Sequence, residues 1–376
     1  MDKTVSPFLS QKFRFWSFVS MFLLVFVHGY NLEFRYLQPW STPMEAMTPT
    51  AFLEYLLANG LFRFRIPMLF IISGFLFAMH DEQPHGQRVK KRLRTLGLPY
   101  LLWSALGIAL TFALEFHPYT RAIIADSHVV QIDDSRHLLT DYRWYELMFR
   151  WIFLPVPYQL WFIRVLLIYN LAYPWIRSAV MGKISRPIFF AIVTLLWMGT
   201  MGFLLFEGEG LLFFSLGVWM QKTGFSIEQP RGWMNPRAWF AAFLLMAVAK
   251  TWLAFEGQAL FGESVFPVIT FLHKGTVLSG LIAAWFGGDS LVRWFMERKW
   301  FVWLSAFSFM IYALHAPFVA YFINPVIRIF QPFEAARLAA FVVLPLAVIA
   351  ICVSVGALLR ALLPKTYSLL TGGRGF

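Results

Sequence analysis

Apolar residues along this chain gather in long, nearly continuous runs, without the two-residue alternation of half-buried strands or the one-sided stripe of soluble helices. Ten such runs cover about 15–32, 60–79, 97–116, 158–176, 188–206, 209–221, 238–256, 268–287, 301–323 and 338–360. Most approach the roughly 20 residues that a helix needs to cross a hydrocarbon core about 30 Å thick. The pattern predicts an all-α polytopic membrane protein with about ten transmembrane helices. The first run follows Lys12 and Arg14 and lacks a small-x-small cleavage site, so it reads as a retained anchor. The longest polar segment, about 117–157, carries Asp126, Asp133 and Asp134. Its second half, Trp144-Tyr145-Glu146-Leu147-Met148-Phe149-Arg150-Trp151, reads as an amphipathic helix lying in the interface. No stretch offers an appended soluble domain, which predicts one integral-membrane domain over 1–376.

Composition sharpens this picture. Of the 376 residues 59% are hydrophobic and only 14% charged, against roughly 25% charged in ordinary soluble domains. That polar surface cannot coat a water-soluble globule, which excludes soluble enzymes, disordered chains and fibres. One cysteine, Cys352, excludes an internal disulfide and a cysteine-built metal centre, and no metal is expected. The net charge of +12 has a topological reading that needs no nucleic acid. With the N-terminus inside, 20 of the 32 Lys and Arg fall in inner segments, from Lys3, Lys12 and Arg14 to Arg360, Lys365 and Arg374. Seven fall outside: Arg35, Arg121, Arg136, Arg143, Arg150, Arg328 and Arg337. Such a bias predicts both termini in the cytoplasm, and an even number of spans near ten.

Ionisable groups at membrane depth cost several kcal/mol and usually face a cavity or a partner. His28, Arg65, Arg164, Lys250, Lys274 and His315 each stand 13 to 15 residues from the inner end of their run. At 1.5 Å per residue all lie roughly 20–22 Å from the inner face. The run 209–221 is too short to cross alone, so Glu207-Gly208-Glu209-Gly210 must dip below the outer surface, or the bilayer must thin there. Glu207 and Glu209 then join the same level. Two histidines, several cations and two carboxylates describe a polar layer suited to acid–base chemistry or ion movement. Arg63, Lys250 and Lys274 fit equally as outer-end cations snorkelling to the interface. His28 and His315 gain little by snorkelling and titrate near neutral pH, which favours a functional reading for them. His273 shares the level, with Lys274 tending to keep it neutral.

Several local patterns, in order, resemble the integral-membrane acyltransferases of acyltransferase family 3. They are Phe13-Arg14 running on to Val27-His28, and Arg63-Phe64-Arg65-Ile66-Pro67 followed by Ile72-Ser73-Gly74-Phe75. Then come the basic run Lys90-Lys91-Arg92-Leu93-Arg94 with Pro99-Tyr100, Leu160-Trp161-Phe162-Ile163, Phe214-Ser215-Leu216-Gly217-Val218, and Tyr312-Ala313-Leu314-His315. The resemblance covers about 12–320. One departure stands out: the family often carries a basic residue eleven positions before the histidine, and here that position is Ser17. Arg14 or Lys12 could supply that charge.

The resemblance implies transfer of an acyl group, acetyl or succinyl, from cytoplasmic acyl-CoA to a hydroxyl of an extracytoplasmic glycan or related acceptor. It implies a multi-pass protein of a bacterial inner membrane, partnered by lipid and not by nucleic acid. In this reading His28 is the general base on the acceptor hydroxyl. Arg65, with Arg164, stabilises the oxyanion. His315 positions the acceptor or carries a second proton. Lys91, Arg92 and Arg94 hold the coenzyme A phosphates, although that run serves equally as a topology signal. Glu207, Glu209 and Ser73 support the polar layer. Two other motifs carry no weight. Gly288-Asp289-Ser290-Leu291 spells a serine-hydrolase signature but lies in a short loop between spans. His128 and Asp133 match a lipid-acyltransferase spacing on the outer side, away from the donor. The alternative class is a transporter or flippase using the same layer; it lacks here a second short span in the other half.

Overall fold

The computed structural model describes residues 5–29, 38–133, 135–330 and 336–375. Lys3, Arg35, Asp134 and the end of the first apolar run lie outside them. In chain order the helices are α1 (Pro7–His28), α2 (Pro49–Tyr55), α3 (Arg65–Met79), α4 (His85–Arg92), α5 (Leu98–Leu114) and α6 (Pro118–Ser127). There follow α7 (Trp144–Ile152), α8 (Trp161–Leu171), α9 (Tyr173–Met181), α10 (Ser185–Met198), α11 (Gly208–Thr223) and α12 (Pro236–Phe261). The last six are α13 (Val265–Gly287), α14 (Asp289–Met296), α15 (Lys299–Ser305), α16 (Ser308–Phe330), α17 (Ala336–Leu362) and α18 (Pro364–Thr371). Strands β1 (Gly202–Phe203) and β2 (Phe206–Glu207) pair antiparallel between α10 and α11.

Among the described residues, five helical segments are long and apolar enough to cross a membrane, or six if the bent pair α9–α10 counts as one. Apart from β1 and β2 the regular structure of the described residues is helical, and these spans mark an integral membrane protein. α1 is 22 residues long, but Lys12 and Arg14 in its first half lower its hydropathy.

Several predicted runs are not single helices. The run 188–206 ends as helix at Met198, because Gly199, Thr200 and Gly202 turn the chain into the β1–β2 hairpin. The run 158–176 breaks before Pro174, which opens α9, and α9 meets α10 at 117°. The run 301–323 divides between Ser305 and Ser308. The run 60–79 begins as a π-helical turn, Leu56–Leu61, before α3. Caps explain several starts. Ser6 accepts from the Leu9 amide at 3.1 Å with Pro7 at the first helical position. Asn235 does the same for α12, accepting from the Arg237 amide at 3.0 Å.

The chain forms two compact units: Met1–His85 with Tyr169–Ser305, and Gly86–Ile168 with Ala306–Phe376. In the first, α12 and α13 pair along their length, and α3 runs beside α11. α1 packs along α3 through Phe13 on Phe75, and on the turn before α3 through Trp16 on Phe64 and Phe26 on Phe62. The fully buried Lys12 ammonium reaches Asp289 at 2.6 Å and lies 4.6 Å from the Trp285 ring. Asp289, part of the hydrolase-like tetrapeptide, is therefore an ion-pair partner of α1.

In the second unit, α16 packs on α17. α5 is tied to α7 and α18 by Tyr100 Oη on the Ile152 carbonyl, 2.7 Å, and Trp103 Nε1 on the Leu370 carbonyl, 2.9 Å. Residues 117–157 are not a loose loop. Ile124, Val130, Leu139 and Val156 bury together against Tyr321, and α7 forms where an interfacial helix was expected. Buried Glu115 accepts from the Leu139 and Thr140 amides at 2.7 and 2.9 Å. His128 bonds Gln131, and Asp133 takes Ser135 and Arg136, so that pair serves the local turn.

Candidate active site

The first unit builds a polar layer at the N-terminal ends of α3 and α11. These helices run parallel: Gly210 faces Phe70, and Gly74 faces Phe214. They approach so closely that a β-carbon on Gly74 would lie 2.1 Å from the Phe214 carbonyl oxygen, and one on Gly217 2.1 Å from that of Ile71. Glycine at these points is what lets the backbones touch. The Ser-Gly-Phe and Ser-Leu-Gly patterns thus have a packing cause.

With the helices in register, their first turns bring opposite charges together. Glu207 caps α11, accepting from the Glu209 amide at 3.1 Å and from the Gly210 amide. The Tyr169 hydroxyl donates to the Glu207 carbonyl at 2.5 Å and accepts from its amide at 3.1 Å. Glu209 accepts from Trp197 Nε1 at 3.0 Å. Buried Arg65 opens α3; its Nη1 donates to the Phe62 carbonyl at 2.8 Å, and the Glu209 carboxylate attracts it. The Arg65 Nε has no hydrogen-bond partner among the described residues. Lys274, from α13, lies 5.0 Å from the Trp197 ring and 5.5 Å from that of Trp40, and is attracted by both Glu209 and Glu207. Beside them, Lys250 on α12 approaches His273 Nδ1 at 3.4 Å.

His28 ends α1, half-buried, two residues beyond the Phe26 ring that packs on Phe62. Phe62 is also the residue whose carbonyl holds Arg65. The fold thus brings the α1 terminus to the turn that anchors Arg65. Ser73 is not part of this level: it stands eight residues beyond Arg65 on α3, about 12 Å further along.

In the second unit, His315 is fully buried and its Nδ1 bonds the Ile311 carbonyl at 2.8 Å. A neutral ring donating there carries its lone pair on Nε2. The helix breaks just after it, at extended Ala316 before Pro317. Gln159 Nε2 donates to the Ala313 carbonyl at 2.9 Å and the Tyr312 hydroxyl to the Gln159 carbonyl at 2.8 Å, fixing the turn that carries His315. Arg164 donates to the Phe153 carbonyl and feels the hydroxyls of Tyr100 and Tyr312.

The basic run occupies the end of α4 and the π-helical turn Leu93–Gly97, with Lys91 and Arg94 exposed and Arg92 half-buried. Sequence reading missed Arg374, which joins it by donating to the Thr95 carbonyl at 2.7 Å. Burial and the neighbouring Arg92 push the Arg374 guanidinium down to about 10. Nothing in the spacing links residue 374 to residue 95. Trp197 and Tyr169 were also missed, since aromatic residues abound in every span.

Residues 13–357 match the family model of the acyltransferase domain. The chain is 25% identical over 366 residues to "Succinoglycan biosynthesis protein ExoH" of Rhizobium meliloti (strain 1021), covering 93% of this chain and 89% of that one. No solved structure matches. The family match runs through both compact units and includes the α1 terminus, the α3–α11 layer and the α16 histidine. The chain belongs to acyltransferase family 3 and is a membrane acyltransferase.

Proposed function

We propose that the protein transfers an acetyl or succinyl group from cytoplasmic acyl-CoA to a hydroxyl of an extracytoplasmic glycan. The observation that carries this reading is the polar layer of Arg65, Glu207, Glu209 and Lys274 beside the α1 terminus, within a chain of the acyltransferase family. The glycan acceptor is supported by the succinoglycan-biosynthesis relative. The protein is a bacterial inner-membrane enzyme with ten spans and both termini inside, and its acyltransferase domain is single.

His28 takes the proton of the acceptor hydroxyl, a step worth roughly 10²–10⁴-fold. The oxygen attacks the thioester carbonyl, and the coenzyme A thiolate leaves. Arg65, whose Nε has no acceptor among the described residues, stabilises the oxyanion that develops; in a low-dielectric site such a donor is worth far more than in water. Glu207 and Glu209 hold Arg65 and Lys274 in place. In the second unit His315 serves as a second proton carrier and Arg164 as a further cation. Lys91, Arg92 and Arg94 hold the phosphates of the donor, and Arg374 braces their turn.

The test is reconstitution of purified protein in liposomes with radiolabelled acetyl- or succinyl-CoA on one side and a polysaccharide acceptor on the other. Label recovered in alkali-labile ester on the glycan supports the reading. Passage of intact glycan or lipid without ester formation refutes it.

A further inference from the structure

The first unit holds a cavity of about 380 Å³, within the roughly 300–1,000 Å³ of small-ligand sites. Its walls come from α1, α3, α11 and α13. Met68, Phe213 and Leu278 line it, and each stands one turn beyond Arg65, Glu209 or Lys274 on the same helix. The cavity therefore begins next to the polar layer and runs away from it. Along α13 it reaches from Leu278 to Phe286, roughly 12 Å by the helix rise. The segment between α11 and α12 closes the far end, where Trp285 Nε1 donates to the Ile227 carbonyl at 2.7 Å.

The lining is aliphatic and aromatic, with one charged side chain, that of Arg231. A space walled in this way rejects water and accepts apolar matter. Its polar groups gather at the far end. The Trp219 and Phe225 rings meet at 5.4 Å, and the Arg231 guanidinium lies 4.2 Å from the same Phe225 ring. A guanidinium stacked on a ring keeps its N–H edge for a phosphate. Arg231 is exposed, and no ion pair joins it among the described residues. Trp219 Nε1 is buried without a hydrogen-bond partner among the described residues. Trp233, at the same end, is exposed and packs edge-on with Trp239. Tryptophans of this kind mark the headgroup level of a bilayer.

A cation at headgroup level, an N–H donor one ring further in and hydrocarbon beyond it match the order of groups in a phospholipid: phosphate, glycerol ester, chain. The pantetheine arm of coenzyme A carries amides and a hydroxyl, and the lining side chains offer no oxygen to receive them. We propose that the cavity takes one fatty acyl chain of an anionic phospholipid, with the phosphate on Arg231 and an ester carbonyl on Trp219 Nε1. This lipid site lies apart from the residues assigned to acyl transfer and does not depend on that assignment.

The experiment titrates delipidated full-length protein in neutral detergent with phosphatidylglycerol or phosphatidylcholine and counts bound lipid by native mass spectrometry. One phosphatidylglycerol should bind saturably, roughly fivefold more tightly than phosphatidylcholine, as one arginine at a membrane surface favours an anionic headgroup. Arg231→Gln should abolish the preference, and because Arg231 is exposed this variant leaves the core undisturbed. Arg237→Gln, at the start of α12 and outside the lining, should keep the preference. Phosphatidylglycerol with a photoreactive diazirine in its acyl chain should label the α3, α11 and α13 walls. Equal affinity for the two lipids, an unchanged preference in Arg231→Gln, or label confined to other surfaces overturns the proposal. So does displacement of the wall label by coenzyme A, which would assign the cavity to the donor.

Discussion

Replacing Gly74 or Gly217 with alanine tests the packing that builds the polar layer. Each added methyl would meet a backbone carbonyl oxygen at 2.1 Å, where ordinary contact begins near 3.4 Å. α3 and α11 would have to part by just over an ångström, because a carbonyl in a helix cannot swing away as a side chain can. Overpacking of this kind costs about 1–3 kcal/mol, and the rigid obstacle puts it at the upper end. Alanine returns about 1 kcal/mol of helix propensity. The net expectation is a loss of about 2 kcal/mol for either variant. One separation relieves both clashes, so the double variant should cost less than the sum of the singles. The same movement carries Glu207 and Glu209 away from Arg65, so acyl transfer should fall more than tenfold even below the melting temperature. Thermal unfolding in detergent and label transfer to glycan measure the two effects. A Gly74→Ala protein with unchanged melting and unchanged rate would refute the close approach of these helices.

Other perturbations read separate parts of the molecule. Burial alone would raise the Asp81 carboxyl, but its bonds to Lys222 at 2.5 Å and Arg177 at 2.6 Å hold it below the usual carboxylate range. Its contribution is therefore present above the unfolded value of about 3.9 and is lost as pH falls through the lower folded value. Asp81→Asn should lower stability by about 0.2–1 kcal/mol at pH 7, in melting curves whose difference closes in acid; an equal loss at every pH contradicts this. Glu115→Ala leaves the Leu139 and Thr140 amides without their acceptor. It should cost about 1–3 kcal/mol and make residues 117–157 susceptible to limited proteolysis, which an unchanged digestion pattern would disprove.

Much of the candidate site is legible because the membrane makes charge conspicuous. Depth counting brings Arg65, Lys250, Lys274, Glu207 and Glu209 to one level, and the first unit assembles these residues around shared aromatic and carbonyl contacts. The short run that becomes α11 needs its preceding Glu-Gly-Glu-Gly, and Glu207 is the helix cap. Depth says nothing about azimuth or local bends. Ser73 carries the right motif but sits two turns along α3, because its neighbour Gly74 is there for the α11 contact. Helix breaks at Pro174 and after Ser305 are hidden within continuous apolar runs, since hydropathy measures burial and not direction. The hairpin at 202–207 is written in glycines that a hydropathy window averages away. The fold of residues 117–157 depends on Glu115 reaching amides 24 and 25 residues ahead, a distance no local pattern reveals.

His28 carries the chemical claim, and the rate of ester formation by a His28→Ala protein measures it. With labelled acyl-CoA and a glycan acceptor, that rate should fall by roughly 10²–10⁴-fold. Melting curves recorded beside the rate separate loss of chemistry from loss of fold at this half-buried residue. A His28→Ala protein that forms glycan ester at the wild-type rate would contradict acid–base catalysis at the α1 terminus.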